Sequence, residues 1–157
     1  MVLPVVLPAV LLSASAAMSQ SPGPTVGVRA TAVVSERISL SVSAEVLHFV
    51  VEDGSDDAAA TIEFTVGVRA APGRAVLLLA EPAGDLEGAT GGPVSAGELR
   101  FEGEGDAMQS GVLVGCAPRI VARWIGGGRW RGSVVFHLRG AAPGAYSMPI
   151  RMLVSVP

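Results

Sequence analysis

Apolar and polar residues alternate most regularly at the C-terminal end of the chain. Trp130, Val134, Phe136 and Leu138 fall on one side of an extended strand, and Arg131, Ser133, His137 and Arg139 fall mostly on the other. Beyond Gly140–Gly144, the residues Tyr146, Met148, Ile150, Met152, Val154 and Val156 share a side, with Ser147, Arg151 and Ser155 opposite. A strand turns successive side chains to opposite faces, so this period of two predicts two strands, each with a dry and a wet face. The short Gly/Pro turn between them predicts that they form a closing hairpin.

The same pattern recurs upstream. Ile38, Leu40 and Val42 alternate with serines, and Ile62, Phe64, Val66 and Val68 alternate through Thr61–Ala70. Two denser apolar runs, Leu47–Val51 and Ala75–Ala80, suit strands covered on both faces or central in a sheet. Glu98–Phe101 reads as a short edge strand, Val112–Gly115 and Arg119–Ile125 as further strands, and Gly126–Gly128 as the tip of a hairpin. No segment carries the 3.6-residue period with caps that a helix needs. About eight or nine short strands, spaced by roughly 8–15 residues with turn signals between, predict an all-β chain, a two-sheet antiparallel β-sandwich of immunoglobulin-like type, over residues 36–157.

The front of the chain is different. Residues 1–17 are an uncharged apolar run followed by small residues, the pattern of a cleavable secretory signal peptide, though no basic residue precedes the run. The run is too short to span ~30 Å of hydrocarbon and carries Pro4 and Pro8, so no membrane span is expected in the mature chain. The expected destination is outside the cytoplasm: periplasm, cell surface or extracellular space. Residues 18–35 form an N-terminal segment in which Val26, Val28, Ala30, Ala32 and Val34 share one side of a weak strand. The hexapeptide TVGVRA occurs at Thr25–Ala30 and again at Thr65–Ala70, without a third copy that would mark a repeat architecture.

Composition narrows the chemistry. Half of the 157 residues are hydrophobic and 16% are charged, which suits a folded core rather than disorder. All eleven basic residues are arginine, so lysine chemistry is excluded. The net charge of -3 and the lack of exposed aromatics interleaved with arginine argue against nucleic acid. Every acidic residue lies at or before Asp106, and Arg119, Arg123, Arg129, Arg131, Arg139 and Arg151 follow it. Either the two parts pair across neighbouring strands or the basic part meets an acidic partner.

No constellation of catalytic residues stands out. His48 and His137 would have to meet each other and a third group to hold a metal or catalyse a reaction. The acids of Glu52–Asp57 and of Glu102–Asp106 are spaced as solvated turns rather than as a calcium loop. Gly126–Gly128 lacks the Lys-Ser/Thr of a phosphate loop. Cys116 is the single cysteine, so no disulfide can form within the chain; a buried inert thiol is expected, with a bond to another chain as the alternative. A non-catalytic protein without cofactor or metal is the expectation. The one candidate ligand surface is a Trp/Arg patch made by Trp124, Arg129, Trp130 and Arg131, against which stands their use in core packing.

The Leu-aromatic strand Glu98-Leu-Arg-Phe101, followed by a final pair of strands opened by Pro143-Gly-Ala-Tyr-Ser147, resembles bacterial secreted pilin-like sandwiches, the spore coat protein U type of fimbrial subunit among them. The likeness covers residues 37–157. Those subunits usually carry a disulfide in their first half, and this chain has one cysteine. The resemblance implies a structural or protein-association role at the bacterial surface, with other copies of the chain or another surface protein as partner. It also implies assembly by strand donation, in which an alternating segment of one subunit completes the sandwich of the next. The donor would be Thr25–Val34. Alternatively this segment pairs within its own domain. A ligand-binding module using the Trp/Arg patch is the rival reading.

Overall fold

Residues 36–89 and 99–157 are described by the computed structural model, all of them within the unit Val33–Pro157. The leader-like residues 1–17 and the segment carrying Val26, Val28, Ala30, Ala32 and Val34 lie outside the described residues. The described chain is built of strands: β1 (Arg37–Val42), β2 (Val46–Val51), β3 (Asp57–Arg69), β4 (Ala75–Pro82), β5 (Glu87–Gly88), β6 (Leu99–Glu104), β7 (Ser110–Val112), β8 (Arg119–Ile125), β9 (Gly128–Arg139) and β10 (Gly144–Ser155). They form two antiparallel sheets, ordered β1-β3-β9-β6-β7 and β2-β10-β4-β8, with β5 also pairing β10. The protein is thus the all-β, two-sheet sandwich that the alternation predicts.

The alternation also places the core. Ile62, Phe64, Val66 and Val68 of β3 and Val134, Phe136 and Leu138 of β9 face Leu47 and Phe49 of β2, Val76, Leu78 and Ala80 of β4, and Tyr146, Met148 and Ile150 of β10, all buried. Leaving roughly 1.5–3 kcal/mol of hydrophobic stabilisation per fully buried large side chain, this cluster is the main term holding the sheets together.

Strand neighbours differ from the sequence expectation. β9 and β10 are not a hairpin: β9 lies between β3 and β6 in one sheet, and β10 lies between β2 and β4 in the other. The turn at 140–143 carries the chain across the sandwich, with Gly140 at φ 72°, a conformation that glycine adopts without Cβ strain. Gly126 and Gly127 likewise carry the chain from β8 in one sheet to β9 in the other rather than forming a hairpin tip. Two alternating strands bury their dry faces equally well side by side or face to face, so period alone does not choose. Among the described residues only β6 and β7 are consecutive strands hydrogen-bonded to each other.

Two individual strands also differ. β6 is an inner strand between β9 and β7, and its Leu99 and Phe101 are buried. β2, expected to be covered on both faces, is at the rim of its sheet; His48 and Val50 point to solvent, and Val50 is 69% exposed. Cys116 is exposed on the segment after β7, not buried, because the chain there leaves sheet geometry before β8 begins.

Candidate interaction site

The first described strand does not stay in one sheet. β1 pairs with β3, then Ser43–Glu45 cross the rim and β2 continues beside β10 in the opposite sheet. Ser43 fixes the crossing: its N–H donates to the Glu63 carbonyl (2.9 Å), and its hydroxyl accepts from the Glu63 N–H (2.9 Å). On the other sheet the Ile150 N–H donates to the Glu45 carbonyl at 2.9 Å.

Beyond that bond the sandwich formed by the described residues is incomplete. β2 pairs residues 144–149 of β10, whereas residues 150–155 have β4 on one side and no described strand on the other. Alternate residues of a strand turn their N–H and C=O to the same edge. Since Ile150 turns to the β2 side, Met152 and Val154 present their backbone groups to the same edge, which no described strand covers. Such an edge is a template for another strand.

The opposing wall is β1. Its register sets Ile38, Leu40 and Val42 opposite the buried Val68, Val66 and Phe64, so all three point inward. Yet Ile38 is 46% exposed and Leu40 and Val42 are only half-buried, as are Val154 and Val156 across from them. Inward apolar residues left open on two facing strands mark a place where one more strand would fit. A cleft of about 400 Å³ runs into this corner, lined by Leu40, Val42, Glu45, Ile150, Arg151 and Met152 among others. The chain enters β1 at the same end at which β10 finishes: Arg74 Nε lies 3.8 Å from Glu36, and Arg74 Nη2 donates to the Val156 carbonyl at 3.2 Å.

The Trp/Arg residues lie elsewhere. Trp124 of β8 and Trp130 of β9 stack across the sandwich with ring centroids 4.7 Å apart and planes 9° from parallel, and Phe64 lies 6.2 Å from Trp124. Stacking between the two sheets makes these rings part of the packing at that end. Trp124 is buried and Trp130 half-buried. Gly128 is required beside them: a Cβ there would sit 2.7 Å from the Trp130 ring. Arg129 and Arg131 flank Trp130 on the strand and therefore turn to the opposite face. The four residues meet only around a shallow cavity of about 250 Å³, which Gly105, Asp106 and Met108 complete.

His48 and His137 stand on the outer faces of different sheets. His137 Nδ1 lies 3.6 Å from Asp57 Oδ2, and Arg139 Nε lies 3.8 Å from Asp57 Oδ1. Among the described residues no group of three His, Cys, Asp or Glu side chains is placed to hold a metal ion. No described helix is long and apolar enough to cross a membrane.

Fold and site together define a class: an antiparallel β-sandwich in which one corner is left unfinished by the described residues. No protein-family model matches the chain, and no curated protein matches it.

Proposed function

We propose that the protein is an exported, non-catalytic β-sandwich that acts through protein association at the bacterial surface, as a subunit of a fimbrial-type or other surface assembly. The observation that carries this reading is the corner between β1 and β10, where an edge that no described strand pairs coincides with inward apolar residues left partly exposed. The occupant is the segment Thr25–Val34 of a neighbouring copy. Its alternating Val26, Val28, Ala30, Ala32 and Val34 supply small apolar side chains at period two. Ten extended residues reach ~33 Å, ample for the unpaired half of β10. Each subunit would then offer a segment and receive one, which generates open-ended chains rather than closed dimers.

The test is sedimentation of the purified protein over a range of concentrations. Wild-type protein should form a ladder of oligomers. Ile38→Lys sets a charge on the inward side of β1, at a residue exposed enough to be replaced without unfolding, and should abolish the ladder. Excess synthetic Thr25–Val34 peptide should do the same. A ladder unaffected by both would contradict the reading.

A further inference from the structure

The two outer faces of the sandwich differ in kind. The outer face of the β1-β3-β9-β6-β7 sheet carries Ser41, Glu63, Thr65, Arg131, Ser133 and His137, the polar surface expected of a sheet wetted on one side. The outer face of the β2-β10-β4-β8 sheet is mixed: His48, Ser147, Arg151, Glu81 and Arg123 share it with a band of apolar side chains. The registers of β4 with β10 and with β8 align Leu153, Leu79 and Ile120 in one row across three neighbouring strands. Leu77 lies in the next row and Ile125 in the row beyond, and Ile125 is 63% exposed. This face explains the unbroken apolar run Val76–Ala80: Val76, Leu78 and Ala80 point into the core, and Leu77 and Leu79 point out.

The polar residues around the row are arranged asymmetrically along the strands. On one side Glu81 lies opposite Arg151 on β10, with Oε2 and Nη1 3.3 Å apart. On the other side Arg123 of β8 lies opposite Leu77 and makes no ion pair among the described residues. A twofold axis running along the row Leu153–Leu79–Ile120 exchanges these two sides. It stacks the row on its own copy and brings Glu81 of one molecule over Leu77 of the other, one strand spacing from the other molecule's Arg123. Strand spacing is about 4.8 Å and stacked sheets lie about 10 Å apart, within the reach of an arginine side chain. The same contact forms twice, as an isologous interface requires.

We infer that the outer face of the β2-β10-β4-β8 sheet is a homodimer interface, in which two copies pack sheet on sheet about the row Leu153–Leu79–Ile120, with Glu81 and Arg123 pairing between them. The surface is the outer side of the sheet, whereas the cleft between β1 and β10 opens on its inner side, with Arg151 bordering both; the inference does not depend on strand donation. Face-to-face packing closes at two copies, whereas strand donation does not close.

Sedimentation velocity on the purified full chain tests it, with the Ile38→Lys background used to remove any open-ended assembly. In that background the protein should be a dimer that dissociates on dilution. Leu79→Glu, which replaces an outward side chain, should give a monomer with an unchanged circular dichroism spectrum. Should Leu79→Glu fail to fold, charge reversal decides: Arg123→Glu should weaken the dimer about tenfold, and adding Glu81→Arg should restore much of the loss. A monomer at every concentration in the Ile38→Lys background overturns the proposal. So does a dimer that neither Leu79→Glu nor Arg123→Glu weakens.

Discussion

At the scale of single residues, the chain shows which side chains carry stability and which are spectators. Tyr146 opens β10 and its hydroxyl donates to the Ala142 carbonyl at 2.8 Å, tying the strand to the turn that crosses the sandwich. Tyr146→Phe keeps the buried ring and loses only that bond, so urea denaturation should show a loss of about 0.5–1.5 kcal/mol. Trp124→Ala should cost about 3–5 kcal/mol, since it empties a site stacked on Trp130 and packed beside Phe64. Arg129→Ala, an exposed residue without an ion pair among the described residues, should stay within about 0.5 kcal/mol. If the two results were reversed, the indoles would not be packing residues. Inward and outward residues on β9 and β10 were legible from period alone. The exposure of Cys116 was not, because a thiol in a short apolar stretch gives no sign of whether the chain there is in a sheet or leaving one.

At the scale of elements, legibility depended on what a hydrophobic pattern encodes. It reports which side of a strand meets the core, and β8 was read from it with its observed bounds, Arg119–Ile125. It carries no information about which strand lies alongside. That is decided by the connections, and here nearly every connection crosses between the sheets. The turn at Ala71–Arg74 shows how: Pro72 and Gly73, the latter at φ 83°, reverse the chain, and the Arg74 N–H closes on the Ala71 carbonyl at 3.3 Å. Gly73→Val would force a β-branched residue into the left-handed region and should lower stability by roughly 1–3 kcal/mol, measured by thermal unfolding. The same substitution should not alter dimer formation through the opposite surface of β4. The dense apolar run of β2 misled, whereas that of β4 was read correctly as a central strand, between β10 and β8. In β2 the extra apolar residue, Val50, faces solvent, and in β4 Leu77 and Leu79 do so in part. Coverage by the same chain and availability to another chain leave one signature in sequence.

At the scale of the whole molecule, the division of charge resolves only in part within the described fold. Asp57 meets Arg139 on the neighbouring strand and Glu81 meets Arg151, while Arg119, Arg123, Arg129 and Arg131 make no ion pair among the described residues. These pairs are at the surface and contribute little, in the range of about 0–1 kcal/mol each. The unfinished corner was foreshadowed only by the position of an alternating segment before the sandwich; the cleft itself depends on β1 leaving one sheet for the other at Ser43–Glu45, which no residue pattern announces. Amide hydrogen exchange at Met152 and Val154 in the purified protein tests the proposed role of that corner most directly. Strand donation between copies should make both amides exchange rapidly in dilute solution, become protected as concentration rises, and lose that protection in Ile38→Lys. Rapid exchange at every concentration, or protection independent of concentration, would contradict it.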